Sequence, residues 1–197
     1  MMTEVNCLQY AGRAMSGPRV QLSRGNMKKI TGILAVGVLA AGCASMTPQG
    51  PTAVATLETT KGNATSGSVN FVQKGDKVRV TAKVSGLSPG AHGFHIHETG
   101  DCSSGDGMSA GGHFNPQGKP HAAPTTADRH AGDMPMLQAN ASGEATLVVE
   151  LDVITIGSGA ADIVGRAVIV HKDPDDFTTQ PTGNSGARVA CGVIRKT

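Results

Sequence analysis

The sequence predicts an all-β fold, an antiparallel sandwich or barrel of about eight short strands interrupted by two long loops. Three observations carry that expectation. Several segments alternate apolar and polar residues, which is the period of a strand with one buried face, and none sustains a helical period. Glycine accounts for 27 of 197 residues, about twice the usual share, as suits a chain with many turns. Aromatic residues make up only 3% and tryptophan is absent, so the core must be built from Val, Ile, Leu and Ala.

The elements follow in order. TAVATLET at 52–59 reads as a strand. SVNFVQ at 68–73 places Val69 and Phe71 on one face. KVRVTAKVSGL at 77–87 alternates further, with Val78, Val80, Ala82 and Val84 on a shared face. Lys74-Gly75-Asp76 between these two has the composition of a hairpin turn. HGFHIHE at 92–98 is a fourth strand, and GEATLVVELD at 143–152, after MLQANAS, is another. RAVIVHK at 166–172 and ARVACGVIRK at 187–196 complete the set. Residues 99–135 and 173–187 break the rhythm with polar, glycine-rich sequence. Loops that long in a compact domain are usually functional.

Charge is distributed unevenly. The formal net charge is +2, but residues 1–43 carry Arg13, Arg19, Arg24, Lys28 and Lys29 against Glu4 alone. The remainder has 12 basic and 14 acidic side chains, so no basic patch suggests a nucleic-acid partner. Met27-Lys28-Lys29 precedes an apolar run from Ile30 to Gly42, and Cys43 follows. A basic start, a short apolar stretch and small residues at its end make a secretory signal. The run is shorter than the roughly 20 residues that span a bilayer. AAGC at 40–43 resembles a bacterial lipoprotein signal, in which the cysteine is acylated after cleavage. Ala40 stands where that signal usually has Leu, and Leu39 lies one place early. Plain cleavage near Cys43 is the alternative.

We expect translation to start at Met27, which leaves residues 1–26, Cys7 included, without a role. Residues 44–52 then form a tether and residues 53–197 the functional domain, exported to the periplasm or cell envelope. Of the remaining cysteines, Cys102 and Cys191 form an even pair in an oxidising compartment and read as one disulfide.

Histidine carries the chemistry. All 7 histidines lie between His92 and His171. Side chains alternate along a strand, so His95 and His97 point to one face about 7 Å apart and can converge on one ion. His92 has the opposite parity and reads as a structural residue. The long loop offers His113, His121, His130 and Asp133, and three imidazoles with a carboxylate suit a tetrahedral zinc site. His171 comes from a separate strand. Histidine sites without thiolate suit copper or zinc. These patterns leave open which ligand serves which ion.

GFHIHETGDC at 93–102, AGGHFNP at 110–116, KPHAAP at 119–124, DRHAGDMPML at 128–137, VIVHKDPDDF at 168–177 and GNSGARVACGVI at 183–194 together resemble the copper/zinc superoxide dismutases. The secreted bacterial branch is most similar, since the first cysteine follows GD directly. The resemblance runs from about residue 53 to 195 and implies a Greek-key β-sandwich or barrel. It makes His95, His97, His113 and His171 the copper ligands and His113, His121, His130 and Asp133 the zinc ligands, with His113 bridging both. It matches Arg188 to the arginine beside the copper and Cys102–Cys191 to a disulfide tying the long loop to the final strand. Asp175 matches a carboxylate that bonds one histidine of each site.

The implied reaction is dismutation of superoxide to oxygen and hydrogen peroxide, with one copper and one zinc per chain. Animal members of the family carry lysine and glutamates before this arginine; DFTTQPTGNSGA at 176–187 has neither. A homodimer and a monomer both stay open.

Two rivals are distinguishable. A non-catalytic copper/zinc-binding or copper-delivery domain on the same fold would not need Arg188. A cupin also uses an H-x-H strand, but expects a glutamate several residues further on, whereas Glu98 follows His97 immediately. If Cys43 is acylated, the protein fractionates with membranes and Cys43→Ala moves it to the soluble fraction; unchanged fractionation of the variant would overturn the tether.

Overall fold

The computed structural model describes residues 50–197; the expected leader at 27–43, Cys43 and the tether up to residue 49 lie outside the described residues. Alternation in the sequence becomes alternation in burial. In β3 (Lys77–Ser85), Val78, Val80, Ala82 and Val84 are buried, while Lys77, Arg79, Lys83 and Ser85 are exposed. The same pattern buries Ala53, Ala55 and Leu57 of β1 (Thr52–Thr59) and Val69 and Phe71 of β2 (Ser66–Lys74). Lys74 pairs with Lys77, which leaves Gly75 and Asp76 as the turn. Gly75 has φ 61°, a left-handed conformation that glycine adopts without steric cost.

The remaining strands are β4 (Gly90–His92), β5 (Phe94–His97), β6 (Leu137–Ala139), β7 (Ala145–Leu151), β8 (Ala167–His171) and β9 (Arg188–Lys196). A seven-stranded antiparallel sheet has the order β5-β8-β9-β1-β2-β3-β7, and β4 pairs with β6 in a second, small sheet. The described residues form no α-helix; one 3-10 turn spans Met108–Ala110. The all-β reading therefore holds. The core is aliphatic apart from Phe71, Phe94 and Phe114.

The strand expected at 92–98 divides at Gly93. The Gly93 N–H donates to Asp173 O (2.9 Å) and its carbonyl accepts from His171 N (2.9 Å). A Cβ at Gly93 would meet Ser185 Oγ at 2.6 Å, so only glycine permits this crossing. The chain changes sheets there: His92 pairs with Leu137 in the small sheet, and Phe94 with Val170 in the large one.

The loop that follows β5 is not free chain. Phe114 N donates to Ile96 O (2.8 Å), Ile96 N to Gly132 O (2.9 Å), and Gly132 N to Phe114 O (2.9 Å). Two stretches of the loop thus lie along β5. Every residue of β8 is buried. Val168 and Val170 face the main core, while Ala167 and Ile169 pack with Ala110, Cys191 and Cys102 beneath the loop. The Cys102–Cys191 disulfide, with Cα atoms 5.8 Å apart, fastens the loop to β9 across 89 residues of sequence. Closing a loop that long stabilises the fold by about 4 kcal/mol in the chain-entropy model. We expect a Cys102→Ala, Cys191→Ala variant to lose about that much in urea unfolding of the metal-free protein; an unchanged midpoint would show that the loop is held without the bond.

Candidate metal centre

Three segments far apart in sequence deliver the site. β5 contributes His95 and His97 from the face opposite Phe94 and Ile96, which belong to the core. The long loop contributes His113, His121, His130 and Asp133, and β8 ends at His171. All seven side chains are buried. They form two groups, His95/His97/His113/His171 and His113/His121/His130/Asp133, with the ligating atoms of each within 4.8 Å of one another. His113 belongs to both.

The hydrogen bonds of each ring show which nitrogen is committed. His95 Nε2 bonds Asp175 Oδ2 (2.6 Å), His97 Nδ1 donates to Gly111 O (2.9 Å), and His171 Nδ1 to Gly186 O (3.2 Å). His113 Nδ1 bonds Asp133 Oδ1 (2.9 Å). The other nitrogens, His95 Nδ1, His97 Nε2, His113 Nε2 and His171 Nε2, are buried and have no hydrogen-bond partner. A buried polar atom without a partner costs about 1–3 kcal/mol. Four of them in one place is the donor set that a metal ion satisfies.

In the second group one carboxylate oxygen is the meeting point. Asp133 Oδ1 lies 2.9, 3.0 and 3.4 Å from Nδ1 of His113, His121 and His130. Asp133 Oδ2 accepts from the backbone of Ala122 (3.2 Å) and His130 (3.1 Å). Three imidazoles and a carboxylate facing one point fit tetrahedral zinc. Asp175 spans the two groups, bonding His95 through Oδ2 and His121 Nε2 through Oδ1 (2.9 Å).

Burial sets the charge of the rings. It lowers His171 to about 3 and His113 to about 4, the latter against the opposing pull of Asp133. It also holds His95 and His97 below their ordinary value. These rings are neutral at pH 7 and ready to donate a lone pair. His121 differs: burial opposes its charge, but bonds to Asp133 and Asp175 raise it to about 9. Both carboxylates stay ionised, since the histidine hydrogen bonds outweigh the burial that would protonate them.

Arg188 comes to the first group through an irregularity. The β8/β9 register shifts between Val170 and His171, so that Val170 pairs with Ala190 but His171 with Arg188. A bulge re-aims a side chain in this way. The guanidinium donates to Gly107 O and Gly111 O, each at 2.7 Å. Gly111 O also accepts from His97 Nδ1, so one carbonyl ties Arg188 to a histidine of the cluster. His92 lies outside both groups, with its ring nitrogens against His171 O (2.9 Å) and Ser88 O (2.8 Å).

Several supporting residues were not visible from sequence. Gln180 clamps His121, accepting from its N–H (2.9 Å) and donating to its carbonyl (2.7 Å). Gly183, at φ 70°, closes over the Asp175–His121 bond. A Cβ there would fall 1.8 Å from Asp175 Oδ1 and 2.6 Å from His121 Nε2. The two glycines of GNSG, at 183 and 186, are the only hint the sequence offers of bare backbone there. We expect Gly183→Ala to displace Asp175 and weaken zinc binding about 10- to 100-fold, the usual cost of losing such a supporting bond. Competition with a chelator measures it; wild-type affinity would show that Asp175 is dispensable.

Comparison with known proteins agrees with this geometry. Residues 65–194 match the family model for copper/zinc superoxide dismutase. The chain is 47% identical over 148 residues to the copper/zinc superoxide dismutase 2 of Brassica juncea, covering 72% of this chain and 95% of that one. Among solved structures, the clock protein EA4 superposes with a TM-score of 0.67 at 40% identity, over 73% of this chain and 93% of that one. The paired histidine clusters, their unpaired nitrogens and the match across most of the described residues lead to one conclusion: the chain belongs to the copper/zinc superoxide dismutase family.

Proposed function

We propose that this protein dismutates superoxide, converting two superoxide anions and two protons to dioxygen and hydrogen peroxide. The observation that carries the reading is the set of four buried, partnerless imidazole nitrogens beside Arg188. His95, His97, His113 and His171 would hold copper, and His113, His121, His130 and Asp133 would hold zinc. Copper bound there supplies a one-electron couple that accepts an electron from one superoxide and returns it to a second, while zinc supplies fixed charge without redox chemistry.

The protein's own residues do the rest. Arg188 attracts and orients the anion. Two of its five N–H donors are used on Gly107 and Gly111, which fixes the plane of the guanidinium and leaves others to meet the substrate. His113 is the bridge between the two groups. With zinc bound, its Nδ1 would be given to that ion beside Asp133, which leaves Nε2 free to take up one proton and hand it on. Asp175 orients His95 and His121 together. We also propose export and a tether through Cys43, a reading that rests on residues 27–43 alone.

Elemental analysis should find about one copper and one zinc per chain, with dismutation lost on copper removal and regained on its return. Bound metal without dismutation would favour the carrier reading. Arg188→Ile should keep both metals and lower kcat/KM roughly tenfold or more; unchanged activity at low salt would refute its role.

A further inference from the structure

Arg188 forms no ion pair among the described residues; its direct partners are the carbonyls of Gly107 and Gly111. Its charge is therefore unneutralised by contact and open to the field around it. The two loops on either side of it are acidic, while the exposed Lys61, whose N–H meets Gly105 O (2.7 Å), and Lys172, next to His171, are the lysines packed against them. Residues 98–112 carry Glu98, Asp101 and Asp106, residues 173–187 carry Asp173, Asp175 and Asp176, and neither segment has a lysine or arginine.

Asp106 immediately precedes Gly107, whose carbonyl anchors the guanidinium. Gly105 and Gly107 flank it, both left-handed at φ 75° and 77°. Gly107 lies flat on the arginine stem: a Cβ there would meet Arg188 Cβ at 3.2 Å and Cδ at 3.3 Å. The turn is fixed on both sides. Gly105 O accepts from Lys61 N (2.7 Å). Ser104 and Ser109 exchange backbone-to-hydroxyl bonds at 3.1 and 3.3 Å. Asp106 Oδ1 accepts from Met108 N (2.9 Å), yet the side chain remains exposed. Hydrogen bonds from Ser104 and Met108 hold its carboxyl below the ordinary value, with the Arg188 charge adding to them, so it is ionised wherever the enzyme works.

We propose that Asp106 is a rate- and selectivity-setting residue that damps the attraction of Arg188 for anions at the mouth of the site. This rests on the reading of Arg188 as the anion-attracting group. A fixed negative charge beside the guanidinium weakens the local field for a monoanion and weakens it twice as much for a dianion, because the Coulomb term scales with charge. The site thus gives up part of its capture rate for superoxide in return for excluding more highly charged anions.

Asp106→Asn tests this cleanly, since the amide oxygen can still accept from Met108 N while the charge is gone. On the metal-loaded protein at low ionic strength we expect kcat/KM for superoxide to rise about twofold, the scale of one exposed rim charge in a water-like dielectric. The gain should vanish by about 0.5 M salt, where the Debye length is a few Å. Asp76→Asn makes the same change of net charge on the β2–β3 turn and should leave the rate unchanged. Azide binding to the loaded protein, read by absorbance, should tighten about twofold in Asp106→Asn and not in Asp76→Asn. Equal rates and equal azide affinity for Asp106→Asn and wild type, a fall in either, or an equal gain in Asp76→Asn would each overturn the proposal. Failure of the dismutase reading would show separately, as loaded wild-type protein without activity, and azide binding would still decide the role of Asp106.

Discussion

Six imidazoles cannot be packed into a dry interior unless both nitrogens of each ring find a partner. That constraint organises the molecule. His95, His97, His113 and His171 each commit one nitrogen to a carboxylate or a backbone carbonyl and leave the other buried without one. The committed bond fixes the tautomer and the ring orientation; the uncommitted lone pair is what an ion takes. The cost of those bare nitrogens must be met by the rest of the fold, and strong burial keeps the rings neutral in the meantime.

Much of the backbone architecture serves to hold those committed partners. The long loop lies along β5 by hydrogen bonds at Ile96, Phe114 and Gly132, and a Cβ on Gly132 would fall 2.2 Å from Ile96 O. The disulfide fixes the same loop to β9, where Arg188 begins the strand. From the other side, residues 173–187 bring Asp175 and Gln180 against His95 and His121. Two polar loops that form no long strand are thus held by one another, by the sheet and, in the first, by buried Phe114, Ala131 and Met134. Binding of metal to such a preformed site adds to the stability of the folded state, because ions that bind only the native protein pull the equilibrium toward it.

The electrostatics have a division of labour. Inside, Asp133 and Asp175 balance histidines that converge on single points. Arg188 makes no ion pair among the described residues, and both flanking loops carry carboxylates. If Arg188 attracts the anion as proposed, the charges on the turn at Gly105–Gly107 bear on that attraction.

The sequence by itself determined the long strands and singled out the histidines that the fold brings together. Alternation along β1, β2 and β3 is a local property of the chain, and the burial pattern follows it residue by residue. The histidines were legible because so many of a rare residue type fell in one long loop and two strand segments, in motifs that resemble one family. What only the tertiary structure decided is where backbone irregularity was needed. Nothing in RAVIVHK or ARVACGVIRK announces the bulge that sets Arg188 opposite His171. Nothing in HGFHIHE shows that the chain changes sheets at Gly93, or that β8 is covered on both faces. Those features arise where two distant segments compete for the same space and hydrogen-bond groups. Periodicity within one segment cannot report on a partner that folding brings to it from elsewhere in the chain.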